Sequence, residues 1–356
     1  MSILAIEAAG PGVTLQDGGR RGYLRYGITA AGPMDPLMFA TANRALGNPL
    51  DATAIEISTG GLSVSAPDGP LGLALVSGGF RAALDGEALP PCCAFTLEPG
   101  RTLTVRASSA GSWGYLAVAG RLDVAPVLGS TATHTRSALG GLDGRGLRAG
   151  DRIPVVDARQ GEGAPQRLLA PWLDRDPSRI RVVLGPQDDY FTQDQIAAFL
   201  AGPWTVSPRG DRMACFLDGT PLKHAKGHDI VSDGVAMGAI QVPGNGLPII
   251  LMADRQSTGG YPKMATVIGP DLGRLAQAQG GTRIAFQGVS IAEAVAARRA
   301  EADALRGDVP REPVLRTDFP AEFLLGLNLV GGVTDGRDAP HRHGERSEAL
   351  QGAATV

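Results

Sequence analysis

Gln241-Val-Pro-Gly-Asn-Gly246, followed by Leu247-Pro-Ile-Ile-Leu-Met-Ala253, decides how the chain is read. The second segment is the longest apolar run in the sequence. It has the length of a buried strand and falls far short of the roughly 20 residues that span a bilayer. The glycines and proline before it make a turn that returns the chain from one short strand to the next. The same pattern recurs throughout. With 50 Gly and 26 Pro among 356 residues, about a fifth of the chain punctuates backbone structure. That favours many short strands over long helical bundles. The expected fold is mainly β with a few short helices.

Working outward, strands are expected at 180–184, 203–207, 213–217, 239–242, 248–253 and 282–287. The first block carries further strands at 2–7, 71–76, 95–97, 103–106 and 115–119, separated by turns such as Asp85-Gly86 and Pro99-Gly100. Asp35 caps a helix that starts at Pro36 and stops before Gly47-Asn48-Pro49. Other helices are expected at 192–200, capped by Thr192, at 271–278, and within 290–310 starting near Ser290. The polar stretch 157–177 suggests a domain boundary. The expected organisation is a β-rich subdomain over 1–160, a β-barrel subdomain over 175–290, the late helix, and a polar, flexible tail over 330–356.

Composition excludes several classes. The formal charge is −3, with 33 Lys+Arg against 36 Asp+Glu, so a generic nucleic-acid binder is not expected. Cys92, Cys93 and Cys215 form neither a disulfide scaffold nor a zinc ribbon. No signal peptide is evident in Met1–Glu7, and no membrane segment is expected; the reading is cytoplasmic. His224 and His228 are four apart but interrupted by Gly227, so no metal centre is expected.

Two glycine-rich segments concentrate polar groups. One is Leu15-Gln-Asp-Gly-Gly-Arg-Arg-Gly-Tyr23; the other is Asp254-Arg-Gln-Ser-Thr-Gly-Gly-Tyr-Pro-Lys263. On spacing alone the first is a turn with a surface Asp–Arg pair, and the second a tight hairpin with a solvated lysine. Glycines there also let backbone donors approach a ligand. Glu56, inside the apolar run Ala54-Ile-Glu-Ile-Ser58, either points to solvent by alternation or is buried and needs a partner.

Those segments, with Gly32-Pro-Met-Asp35, Ala45-Leu-Gly-Asn48, Gly185-Pro-Gln-Asp188, Asp211-Arg-Met213, Ser232-Asp-Gly-Val235 and Gly238–Pro248, resemble the biotin-dependent carboxyltransferase family over about residues 3–290. That family embraces subdomains A and B of urea carboxylase, the C-type subunit of 5-oxoprolinase and an antagonist of a sporulation kinase inhibitor. The resemblance implies cyclophilin-like β-barrel domains and a separate partner equivalent to subdomains C and D, the B-type subunit of 5-oxoprolinase, with the A-type subunit of that enzyme as a further partner. It implies an ATP-dependent enzyme acting on a small lactam, 5-oxo-L-proline. The alternatives are carboxyl transfer to urea or a related amide, and a non-enzymatic regulator that binds a kinase-inhibitor-like protein. No Ala-Met-Lys-Met biotinyl motif occurs, so this chain is expected to carry no covalent cofactor. ATP would serve the complex, and biotin, in the alternative, would arrive on another chain.

Under the resemblance, Asp17, Glu56 and Lys263 are the candidate acid–base and charge-stabilising residues. Arg20, Tyr23, Arg255, Gln256 and Tyr261 are candidate substrate binders, as are Gln241 and Asn245 through their amides. Gly259 and Gly260 would let backbone donors approach. Arginine suits a carboxylate, which 5-oxoproline has and urea lacks.

Overall fold

Two seven-stranded sheets enclose one apolar layer in the first half of the chain, and a closed seven-stranded barrel forms the second. The computed structural model describes residues 2–161 and 163–314; the tail expected over 330–356 lies outside them.

The first sheet is centred on strands Ser2–Ala9, Leu62–Ser65 and Thr102–Arg106, the second on Ala54–Ile57, Gly114–Val118, Leu71–Ser77 and Cys92–Leu97. Leu4, Ile6, Val64 and Leu103 from one sheet meet Leu73, Leu75, Phe95 and Leu116 from the other. Leu71–Ser77 is buried at every position. Its other face is covered by helix α1, Pro36–Ala45, whose Met38, Phe39 and Ala42 pack with Ala74, Val76 and Tyr115. Two covered faces explain why this strand reads as a continuous apolar run rather than an alternating one. Just beyond the paired ends of Ser2–Ala9 and Leu62–Ser65, Gly10 meets Gly60: a Cβ there would lie 2.2 Å from the Gly60 carbonyl oxygen, so only glycine fits.

The barrel runs Arg179–Leu184, Lys263–Val267, Ala239–Gln241, Ile249–Leu251, Ala214–Asp218, Trp204–Val206 and Arg283–Gly288, closing where the last strand pairs in parallel with the first. Its interior is filled by Ile180, Val182, Leu217, Ile240, Ile250, Met264 and Ile284, as small closed barrels require. Helix α2, Gln193–Ala201, is capped by Thr192. It seals one end by stacking Phe199 on Phe286 at 4.5 Å. Helix α3, Gly269–Gln277, packs Leu272 and Leu275 on the same core. Helix α4, Ile291–Ala304, starts at a capping box made by Ser290 and Glu293. The strand Arg311–Pro313 then returns to the edge of the second sheet.

The expected helices all form, within a few residues of their expected bounds. No helix among the described residues is long and apolar enough to cross a membrane.

Phe199 is fully buried beside Trp204, whose indole N–H donates to the Phe199 carbonyl at 2.8 Å. Phe199→Ala is expected to cost about 3–5 kcal/mol, read as a lowered urea midpoint with an unchanged slope.

Candidate functional site

The candidate residues divide among three places. Asp17 and Arg20 build a loop. The Asp17 carboxylate accepts from Gly19 N and Ser130 Oγ on one oxygen, and from Thr131 N and Thr131 Oγ1 on the other. Arg20 is 1% exposed. It donates from Nε to the Val127 carbonyl and from Nη2 to the Ala132 carbonyl, each at 2.9 Å. Both side chains tie the 127–132 loop to the turn after strand Thr14–Gln16, and both are engaged there. Tyr23 is half-buried on the adjoining turn against Tyr26.

Glu56 is fully buried, settling the choice that alternation left open. One oxygen pairs with Arg212 Nη1; the other accepts from Met34 N and Tyr115 Oη, each at 2.8 Å. Burial pushes the Glu56 carboxyl up, while Arg212 and those two donors pull it down. Arg212 reaches from the barrel side. Its Nε and Nη2 grip Asp254 at 2.9 Å each, and Nη2 also donates to the Gly32 carbonyl at 2.7 Å. Burial works against the guanidinium charge, but Glu56 and Asp254 outweigh it and hold Arg212 protonated. Tyr115 Oη accepts from Asp35 N, and Asp35 caps α1 while pairing with Arg175 at 2.6 Å. One hydrogen-bonded chain thus joins barrel, sandwich and helix. It borders a cleft of about 640 Å³ between sandwich and barrel, lined in part by Met34, Ser58, Trp113, Ser207 and Leu275.

The third place holds most of the substrate-binding candidates. Lys263 opens the strand Lys263–Val267 opposite Gln241 in register. Strand alternation puts both on the outer wall of the barrel, since Ile240 and Met264 face inward. A flap covers them: Asp233–Gly234 pairs antiparallel with Thr258–Gly259. Asp233 reaches down to Lys263 Nζ at 3.1 Å, although Lys263 is only 3% exposed. Gln187 accepts from Lys263 N at 3.1 Å. The bond from Lys263, joined by one from Gly234 N, holds Asp233 below the usual carboxylate range. Arg255 is buried, and its Nε donates to the Val235 carbonyl at 3.1 Å. Gly259 and Gly260 lie in the flap beside Tyr261, which is 41% exposed. Gln256 is exposed just before the flap's second strand, and Asn245 is exposed in the turn at 243–246, where its Oδ1 accepts from Leu247 N.

Lys263 is therefore a covered, paired lysine and not the solvated one its hairpin context suggests. Arg212, Asp254, Asp233, Gln187 and Tyr115 were not singled out as functional in the sequence. Asp211-Arg-Met213 and Ser232-Asp-Gly-Val235 stood in the motifs that carry the resemblance, but only the fold assigns them partners. Tyr115 sits in an apolar strand and gives no signal.

The carboxyltransferase domain family, subdomains A and B, matches residues 26–288. The chain is 38% identical over 302 residues to the C-type subunit of 5-oxoprolinase from Escherichia coli, spanning 83% of this chain and 94% of that protein. Among solved structures, TTHA0988 matches with a TM-score of 0.70 at 35% identity over 81% of this chain. The chain spans only 55% of that protein's length. The K. lactis urea amidolyase matches with a TM-score of 0.79 at 26% identity, over 86% of this chain and 20% of the larger one.

Two outcomes follow from this geometry. Arg212→Met leaves two buried carboxylates without their cation and is expected to cost about 3–5 kcal/mol in urea unfolding. Because the Asp233 carboxyl is depressed, its pairing with Lys263 is complete above the ~3.9 of a free Asp, survives below it, and is lost as pH falls through its own lower midpoint. Carbon-detected NMR titration of Asp233 in Lys263→Met is expected to move the midpoint up towards that value. An unmoved midpoint would show that the ion pair does not form.

Proposed function

The chain belongs to the carboxyltransferase domain family, subdomains A and B, and from that premise we propose that it is one component of an ATP-dependent 5-oxoprolinase. It works with partners equivalent to the B-type and A-type subunits of that enzyme to open 5-oxo-L-proline to L-glutamate. The observation that carries this reading is the degree of likeness. The chain is 38% identical over 302 residues to the E. coli 5-oxoprolinase component, against 26% to the K. lactis urea amidolyase.

The chemistry sets the demands. The lactam oxygen attacks the terminal phosphorus of ATP and ADP leaves. Water adds to the activated ring carbon, the ring C–N bond breaks as nitrogen takes a proton to leave a γ-glutamyl phosphate, and a second water hydrolyses that acyl phosphate to glutamate and phosphate. Negative charge develops on oxygen, and water must lose a proton. Lys263 supplies a fixed cation on a rigid strand, in a covered site where charge is weakly screened. Asp233 supplies an ionised carboxylate at the solvent edge of the same site, within reach of a water to be activated. Asp17 and Glu56 have their oxygens committed to loop and cluster, so in this reading they position the fold and Lys263 meets the substrate.

A second reading is carboxyl transfer from carboxybiotin, brought by another chain, to an amide nitrogen. The backbone likeness to urea amidolyase favours it. The same lysine would then face the biotin or carbon dioxide oxygen.

The test is glutamate release from 5-oxo-L-proline and ATP by the assembled complex. Release is expected to vanish when this chain is omitted and to fall at least about 10²-fold in Lys263→Ala. A complete, stable complex that releases no glutamate, yet carboxylates urea when supplied with carboxybiotin, would replace the first reading with the second.

A further inference from the structure

We propose that the space between flap and barrel wall recognises a small molecule bearing both a carboxylate and an amide carbonyl, with Arg255 taking the carboxylate and Gln241 the carbonyl; this rests on the lactam reading of the same site. A guanidinium without a carboxylate partner and an unsatisfied amide donor point to it. Arg255 is 7% exposed, and among the described residues no carboxylate pairs with it; its one hydrogen bond goes from Nε to a backbone carbonyl. Burial alone acts on its guanidinium, pulling its pKa down with no opposing charge. The contrast is Arg212, equally buried but gripped by two carboxylates. Guanidinium groups do not deprotonate in proteins, so Arg255 is a buried cation without a counter-ion among the described residues. Its two terminal nitrogens remain for a bidentate partner, and a carboxylate has the matching geometry.

Gln241 is the second. It is 2% exposed, and its Nε2 has no hydrogen-bond partner. A buried amide donor left unmade is costly and rare. It faces the flap strand: a Cβ added at Gly259 would lie 2.3 Å from Nε2 and 3.3 Å from the Val235 side chain. Glycine at 259 is what lets the flap close over the amide.

The flap itself ties the two donors together. Val235, whose carbonyl holds Arg255, follows Asp233-Gly234 directly, and Asp233 holds Lys263, the cross-strand neighbour of Gln241. Two residue pairs and the backbone bonds from Val235 N to Ser257 O and from Ile230 N to Gly260 O join the flap's two strands, and the Asp233–Lys263 ion pair ties them to the barrel wall beside a small apolar cluster of Ala214, Val235, Ala239 and Leu251. Lifting it would present the Gln241 amide and the Lys263 ammonium together on the barrel wall. Arg255 and Lys263 against Asp233 leave the site one positive charge in excess, which an anionic substrate balances and neutral urea does not.

The experiment is calorimetric titration of the assembled complex without ATP, using 5-oxo-L-proline, 2-pyrrolidinone (no carboxylate) and L-proline (no ring carbonyl). The expected result is that 5-oxo-L-proline binds at least about 10-fold tighter than either. Arg255→Gln, which keeps a donor for the Val235 carbonyl, should erase the advantage over 2-pyrrolidinone, and Arg255→Lys should restore part of it. Gln241→Leu should weaken both lactams while leaving L-proline unchanged. Thermal melts of each complex confirm folding, and the lysine variant serves if the glutamine variant fails to assemble. An advantage over 2-pyrrolidinone that survives Arg255→Gln, or equal binding of all three by the native complex, overturns the inference. Selective binding of 5-oxo-L-proline without ATP-dependent glutamate release would leave the recognition standing and overturn the reaction.

Discussion

Taking a guanidinium out of water costs several kcal/mol unless carboxylates meet it in good geometry. Arg212 is met by two, Glu56 from the sandwich and Asp254 from the barrel. The three groups cannot be buried separately, so the two halves of the chain are held in one arrangement by charge as well as by apolar contact. Tyr115 and Asp35 extend the constraint to the start of α1, and Gln277 at the end of α3 donates to Asp35. Asp254 stands immediately before Arg255 and the flap's second strand. The cluster that fixes the fold therefore also fixes one root of the flap.

That division of labour separates two kinds of buried charge. Around Arg212 the guanidinium and both carboxylates are answered from within the chain, which is what a structural cluster requires. Under the flap, among the described residues, the answers are incomplete: Arg255 lacks a carboxylate and Gln241 lacks an acceptor. Most buried polar groups of native proteins have a partner, and one supplied from outside would complete these two. Lys263 lies between these extremes, satisfied by an exposed aspartate that a ligand could displace.

Much of the fold was legible in the sequence, because turn glycines, proline positions and caps act locally. Asp35-Pro36 and Thr192 announced their helices, and Leu247–Ala253 announced a buried barrel strand. Glu56 was not decided by alternation, since its strand is buried at every position and its partners Met34, Tyr115 and Arg212 lie outside its strand, the cation 156 residues away. Asp17 and Arg20 read as a site because acidic and basic groups sit among glycines. Their partners, the carbonyls and hydroxyls of residues 127–132, are over 100 residues away. Lys263, Gln241, Gly259 and Arg255 do converge on one flap-covered wall. The aspartate that completes the set, Asp233, needed the fold to bring its strand across.

The most direct measurement is a crystal structure of the assembled complex soaked with 5-oxo-L-proline. The lactam is expected beneath the flap, its ring oxygen near Lys263 and Gln241 and its carboxylate on the Arg255 guanidinium. Density for the lactam in the cleft between sandwich and barrel, beside Trp113 and Ser207, with the flap site empty, would contradict it.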